Sequence, residues 1–581
     1  MKIIIFSSYT STWTFALAEA IMANAFQKKG HQILYITSGD QLIGKSDLFN
    51  ENILRREFGL NGYTIGDVLT DQDRKEISLL MNNVNKNNVE DLVIDGVNIG
   101  KIALYELLLH RKKMTLDFTD DEWVECLVDL KNTLTSFFAC RSIMTREKPN
   151  IVMMYNTLYS VNHAWERCAN SKRIPVYFIH HGVNVSDMDN TLIVARDDGI
   201  SYINELKNIW PILKDIPVPQ MMLRYVTDHF LELLKAKHYL VYSAPKRKDL
   251  FKIRDFFAIR PDQKILTATM SSYDEMFAAE YVGVRPIPLD LIFASQTDWI
   301  IALIAYVKSR PDLFLLIRVH PREFPNKRDS VKSEHATMLE NHFKDLPNNI
   351  KINWPKDNVS LYDISEETDV FLNAWSAAGI EMSLLGVPVV IYSEDLISYP
   401  GDLNYLAKNY DDYFNKIELA IKKGWDYQNI KMTYRWLTLY YYRTIIRLRN
   451  KTIKDIESPD QLEATKSTLI AKIVRNIYHI VPKKIRLTIN KMRRKRRLMR
   501  DCRRQLEEDV DISRVEKMFY NSASTMVNME EILKSQVTID EEDRYIRIEI
   551  KRIYDALYTR RSNTTKTEVS NLQRNLKQHC L

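Results

Sequence analysis

The sequence predicts an α/β protein of two doubly wound halves followed by a mostly helical extension. Three observations predict this. Short apolar, partly β-branched runs alternate with helical segments over residues 1–40, 150–185 and 264–391, the pattern of strands in a parallel sheet. At 581 residues the chain is too long for one hydrophobic core. Beyond residue 450 the strand-like runs stop and basic residues accumulate. The segments expected are 1–250, an α/β half with a helical insertion; 251–450, a second α/β half; and 451–581, a basic helical extension.

The elements follow in order. Lys2–Phe6 is an apolar strand, a helix spans about Thr14–Lys29, and His31–Thr37 is the next strand. This β-loop-α-β start lacks GxGxxG, so no dinucleotide fingerprint is present. Residues 38–100 carry weak signals, and residues 101–147 are mostly helical. Strands return at Asn150–Asn156 and Ile174–Gly182, and His238–Pro245 reads as the strand closing this half. The second half opens at Lys264–Met270 and continues with strands at Leu313, Asn349, Asp369 and Pro388. Met432–Asn450 reads as one long aromatic-rich helix, and Trp299–Val307 as a core helix rather than a membrane span. In the extension, Ile546, Ile550, Ile553 and Leu557 form a helical stripe.

Charge divides the chain. Residues 451–581 hold 29 Lys and Arg against 19 Asp and Glu, whereas residues 1–450 hold 53 against 56, so the extension supplies the net +7. Residues 471–500 contain twelve basic residues and no acid, with Ile485, Ile489 and Met492 at helical spacing. A basic amphipathic helix, restarting after Pro482, is expected to seek an anionic membrane surface. Nucleic acid is not the expected partner, because Tyr478 is the only aromatic in the block. Five scattered cysteines with no CxxC make a zinc site unexpected and favour a reducing compartment. The N-terminus reads as a buried strand and not a signal peptide. A cytoplasmic protein, peripheral at the inner membrane, is the expectation.

The chemistry concentrates in two runs of the second half. Leu313–Val319 is a strand-length apolar run ending on His320 and Pro321. Val370–Asn373 is another strand, broken by the small-residue turn Ser376-Ala377-Ala378-Gly379 before a helix that carries Glu381. In an open parallel sheet, ligands sit outside the carboxyl ends of the strands. A turn of small residues exposes backbone N–H groups to phosphate, a carboxylate one turn later can reach ribose hydroxyls, and a histidine beside them can pair with phosphate. Together these describe a nucleotide-sugar site. Ser271, Ser272 and Asp274 follow the first strand of this half, a donor-contact position. In the first half, His181 of His180-His181-Gly182 ends a strand, and Ser8 and Thr10 lie in the first loop; all three are expected to face the cleft. No DxD occurs in a suitable loop, so no metal or other cofactor is expected beyond the donor itself.

The histidine-proline pair of RVHPRE (Arg318–Glu323), the S-x-x-G-x-E start at Ser376–Glu381 and DNVSLYDI (Asp357–Ile364) resemble bacterial capsule and lipopolysaccharide glycosyltransferases, including the Kdo- and sialic-acid-transferring groups. The resemblance covers roughly residues 264–395. It implies the GT-B architecture of two Rossmann-like domains, a CMP- or UDP-linked donor, and a surface-polysaccharide or lipid-linked acceptor. It further implies that His320 contacts the donor phosphate or nucleotide, Ser376 and Gly379 cradle phosphate, and Glu381 binds ribose. His320, His181 and Asp274 become the candidate catalytic residues. The same turn resembles UDP-GlcNAc 2-epimerases, although theirs reads SGG; epimerase is the second reading, and a non-catalytic scaffold of a capsule assembly complex the third.

Overall fold

The computed structural model of the chain describes residues 1–247, 251–448, 483–534, 537–558 and 570–580. Two six-stranded sheets organise it. In the first lobe, Lys2–Ser7 pairs in parallel with Gln32–Thr37 on one side and Ile151–Tyr155 on the other. Val176–His181 follows in parallel, and Thr191–Arg196 then runs antiparallel beside it. The last strand is Ile445–Arg447, antiparallel to Thr191–Arg196. Residues just before 450 therefore return to the first lobe.

The second sheet is parallel throughout and orders its strands 350–353, 313–318, 264–269, 370–373, 389–391, 405–406. Counted in chain order this is 3-2-1-4-5-6, the order of a Rossmann sheet. The central strands are buried on both faces, which is why Leu313–Arg318 is apolar throughout until its terminal arginine. Direction reverses between Lys264–Thr269 and Val370–Asn373, so the loops leaving these two strands diverge and open a crevice between them. The two-lobed Rossmann-like α/β fold expected from the sequence is present.

The structure departs from the sequence reading in four places. Thr191–Arg196 is a strand that was not anticipated. His238–Pro245 is not a strand but a strap between the lobes. The helix expected over Met432–Asn450 ends at Thr438; a π-helical turn at Leu439–Arg443 then leads into Ile445–Arg447. The weakly patterned stretch 38–100 contains helices Leu48–Phe58 and Asp71–Asn83 and a short hairpin.

The extension is helical among its described residues, and it packs on both lobes. Helix Lys483–Leu506 lies against helices Trp13–Lys28 and Leu48–Phe58 of the first lobe. Helix Ile539–Tyr558 buries the expected stripe of Ile546, Ile550, Ile553 and Leu557, packing on helix Gln220–Lys235. Its fully buried Glu542 pairs with Arg435 at 2.5 Å and Lys431 at 3.7 Å. Among the described residues no helix is long and apolar enough to cross a membrane.

Candidate functional site

The crevice at the switch point of the second sheet is a cavity of about 330 Å³. Three strand ends supply its polar wall. Ser271 and Ser272 follow Lys264–Thr269, His320 follows Leu313–Arg318, and Ser376 and Glu381 follow Val370–Asn373. The first lobe closes the other side with Val185 and Leu233, and the interlobe strap contributes Tyr242 and Ser243. Five of the candidate residues, more than fifty positions apart at the extremes, thus meet around one space.

His320 caps the short helical turn Pro321–Glu323: its Nδ1 accepts from the Arg322 backbone N–H at 3.3 Å. Burial pushes its pKa down to about 4; Glu323 pulls it up, and Arg318, Arg322 and Arg328 push it down. The ring is therefore neutral near pH 7. With Nδ1 accepting, its proton sits on Nε2, which makes that nitrogen a donor. The guanidinium groups that depress it also make the surroundings attractive to an anion.

Glu381 is half-buried. Burial raises its pKa from 4.5 to about 7, partly offset by the Tyr362 hydroxyl and Arg318. Tyr362 donates to its Oε2 at 2.8 Å. Arg318 forms the floor: it is 8% exposed and bonds Asn353 Oδ1 at 2.5 Å and the Val359 carbonyl at 3.0 Å. Ser271 is clamped by Gln296, which accepts from its N–H at 2.6 Å and donates to its carbonyl at 3.1 Å. The Ser271 hydroxyl accepts from the Trp375 N–H at 3.3 Å, tying the two diverging loops together. The Ser272 hydroxyl donates to Asp274 at 2.6 Å. In the turn, Ser376 Oγ accepts from the Ala378 N–H at 3.2 Å.

Other candidates stand elsewhere. Gly379 is outside the cavity wall; a Cβ there would meet the Tyr399 hydroxyl at 2.0 Å, so the glycine is needed for packing. Asp274 is 1% exposed and held by Arg322 at 2.7 Å, so it is a structural anchor for the loop. Its neighbour Glu275, 56% exposed along its side chain, lines the cavity instead, with Arg322 Nε at 3.3 Å. His181 is 9% exposed and does not line the cavity; its Nδ1 is 2.6 Å from the Tyr155 hydroxyl, and burial and His180 push its pKa down to about 4. Ser8 and Thr10 do not face open space. Both are fully buried, donating to Asn162 at 2.5 Å and Glu51 at 2.9 Å. Glu323 is buried among Tyr273, Ser333 and His335.

Sequence reasoning passed over Arg318, Glu275 and the strap. Arginine at the end of an otherwise apolar strand was the available signal for Arg318. The strap had none: Arg328 holds it through Tyr242, at 2.5 Å to the hydroxyl and 3.9 Å to the ring centroid, and only folding brings them together. Among the described residues, no cluster of His, Cys, Asp or Glu could hold a metal ion.

No family model and no curated protein matches this chain. Solved structures similar to it include a beta Kdo 2,4 transferase, KpsC, from Thermosulfurimonas dismutans. It is 15% identical with a TM-score of 0.33, over 52% of this chain and 82% of that one. A UDP-GlcNAc 2-epimerase from Methanocaldococcus jannaschii is 14% identical with a TM-score of 0.27, over 76% and 100%. The spinosyn rhamnosyltransferase SpnG is 12% identical with a TM-score of 0.21, over 76% and 95%. The functional reading rests on the strand order and the cavity, not on these likenesses.

Proposed function

We propose that the protein is a glycosyltransferase that moves a sugar from a nucleotide-sugar donor to a glycan or lipid-linked acceptor. One observation carries this reading: His320, from one strand end, and Ser376 and Glu381, from another, line one cavity at the switch point of a 3-2-1-4-5-6 sheet. That is where such a sheet takes a nucleotide.

Each residue has work it can do there. The Nε2–H of neutral His320 donates to a phosphate oxygen and stabilises charge as the sugar–phosphate bond breaks. The Ser376 turn lies beside the same phosphate. Glu381, as the carboxylate, accepts from ribose hydroxyls. Arg318 holds the floor in place. Glu275 is the cavity carboxylate that can take the acceptor proton, because Asp274 is committed to Arg322 and Ser272. The side lined by Val185 and Leu233 of the first lobe is left for the acceptor.

Incubation with CMP-, UDP- and GDP-sugars, following nucleotide release and the fate of the sugar, tests the reading. Sugar appearing on an acceptor, lost in His320→Ala, supports it. An epimerised donor with no transfer would assign the cavity to the epimerase reaction. Absence of turnover with every donor would leave a binding scaffold and refute the enzyme reading.

A further inference from the structure

The helix Lys483–Leu506 presents a ridge that the donor cavity does not explain. Its inner face is fixed to the first lobe. Leu498 and Cys502 are 1% and 0% exposed and join the core formed with Ile53, Leu54 and the first helix. Arg494 bonds Asp47 at 2.5 Å and Asn50 at 2.8 Å, and its guanidinium lies 5.3 Å from the Phe49 ring. At about 100° per residue, Arg493, Arg496, Arg500, Arg503 and Arg504 all fall within roughly 60° of the direction opposite Leu498. All five are exposed. From Arg493 to Arg504 the ridge is about 17 Å long. Along the outer face no acid interrupts it before Glu507.

Apolar side chains flank its amino-terminal end. Met492 is 52% exposed on the same helix, and Leu48, next to the Arg494 partner Asp47, is 50% exposed. Exposed apolar groups beside a line of guanidinium groups suit an interface that has both anionic headgroups and hydrocarbon. The ridge is seated on a lobe through the opposite face of its helix. It carries no aromatic side chain on which a base could stack.

We infer that the Arg493–Arg504 ridge, with Met492 and Leu48 at its end, docks the first lobe on an anionic lipid surface. This differs from an inserted amphipathic helix, since Leu498 and Cys502 are already used in the fold. The side chains of Ile485 and Ile489, expected to form the inserting stripe, lie outside the described residues. The inner face of the same helix meets the loop at the carboxyl end of the first strand: Arg494 bonds Asp47, whose N–H donates to Thr10 Oγ1 at 2.8 Å. The inference stands on this surface alone and holds whatever the cavity binds.

Vesicle flotation of the full chain tests it, using phosphatidylcholine alone and phosphatidylcholine mixed with phosphatidylglycerol. The wild type is expected to float with the mixed vesicles only, and less in high salt. Arg496→Gln, Arg500→Gln and Arg503→Gln together are expected to weaken binding roughly a hundredfold, at about fivefold per charge, with an unchanged melting temperature. Leu48→Ser adds a smaller loss. A wild type that ignores anionic vesicles, or a folded triple variant that binds as well as the wild type, would overturn the inference. Stronger binding to single- or double-stranded nucleic acid than to the vesicles, at one salt concentration, would overturn it in favour of that partner.

Discussion

The two lobes place a switch-point crevice at the same position and treat it differently. In the first lobe the loops after Lys2–Ser7 and Ile151–Tyr155 are sealed by their own side chains. Glu106, 4% exposed, accepts from Lys45 at 2.8 Å, Tyr9 at 3.0 Å and Ser160, while Ser8 and Asn162 close the gap between the loops. In the second lobe the loops after Lys264–Thr269 and Val370–Asn373 are tied near the strand ends, Ser271 to Trp375 and Thr269 to Ala374, and a cavity remains. A switch point beside the first strand of each sheet thus yields a fastening in one lobe and an open cavity in the other. A satisfied polar network stabilises, whereas groups left facing a void are available to a ligand.

The largest expected effect breaks the comparison from the sealed side. Glu106→Ala leaves Tyr9 and Ser160 without their acceptor and Lys45 with Asp129 alone, and is expected to cost about 3–5 kcal/mol of stability. Thermal or urea unfolding measures it, and nucleotide binding by the fraction still folded stays intact. A loss of nucleotide affinity in the folded fraction would mean that the sealed crevice takes part in the site.

On the open side the effects fall on turnover. Glu275→Gln is expected to lower kcat by about 10²–10³ with little change in KM, the signature of a lost proton acceptor. An unchanged kcat moves that role to another group. His320→Ala is expected to cost about 10²–10³ in kcat through lost phosphate stabilisation, with stability nearly unaltered because the ring is only a turn cap.

A smaller effect depends on pH. Glu381 titrates at about 7 in the fold against an ordinary 4.5. Between those values the folded state keeps a proton that the unfolded chain has released, so stability falls as pH rises through that window and levels off above it. Nucleotide affinity runs the other way: ribose hydroxyls need the carboxylate, so Kd falls as pH passes about 7. Calorimetry on either side of that pH is expected to show this in the wild type and a flat profile in Glu381→Gln. A wild-type profile as flat as the variant's would remove Glu381 from the ribose.

Much of the second lobe was legible in the sequence because strands buried on both faces are apolar throughout, and the strand-end residues could be placed without knowing the sheet order. His320, Ser376 and Glu381 followed from that. What escaped is long-range. Thr191–Arg196 runs antiparallel, against an alternation that suggested parallel strands. The strap at His238–Pro245 carries the strand-like run Tyr239-Leu240-Val241-Tyr242, yet Arg328 and Arg318 hold it where a ladder would be expected. Ile445 and Ile446 follow four residues that continue the helical pattern, and their pairing with Leu192 and Ile193 is set by a strand 250 positions earlier. Asp274 and Glu275 are adjacent in sequence, and only the position of Arg322 decides which of them is consumed by the fold.

The most direct measurement is nucleotide binding to the wild type and to the His320→Ala and Glu381→Ala variants by thermal shift and calorimetry. The account predicts that one of CMP, UDP or GDP stabilises the wild type, by about 2.7 kcal/mol at a hundred times its Kd, and that each variant loses most of this while still folding. Binding undiminished in both variants, or no nucleotide bound by the wild type, would contradict it.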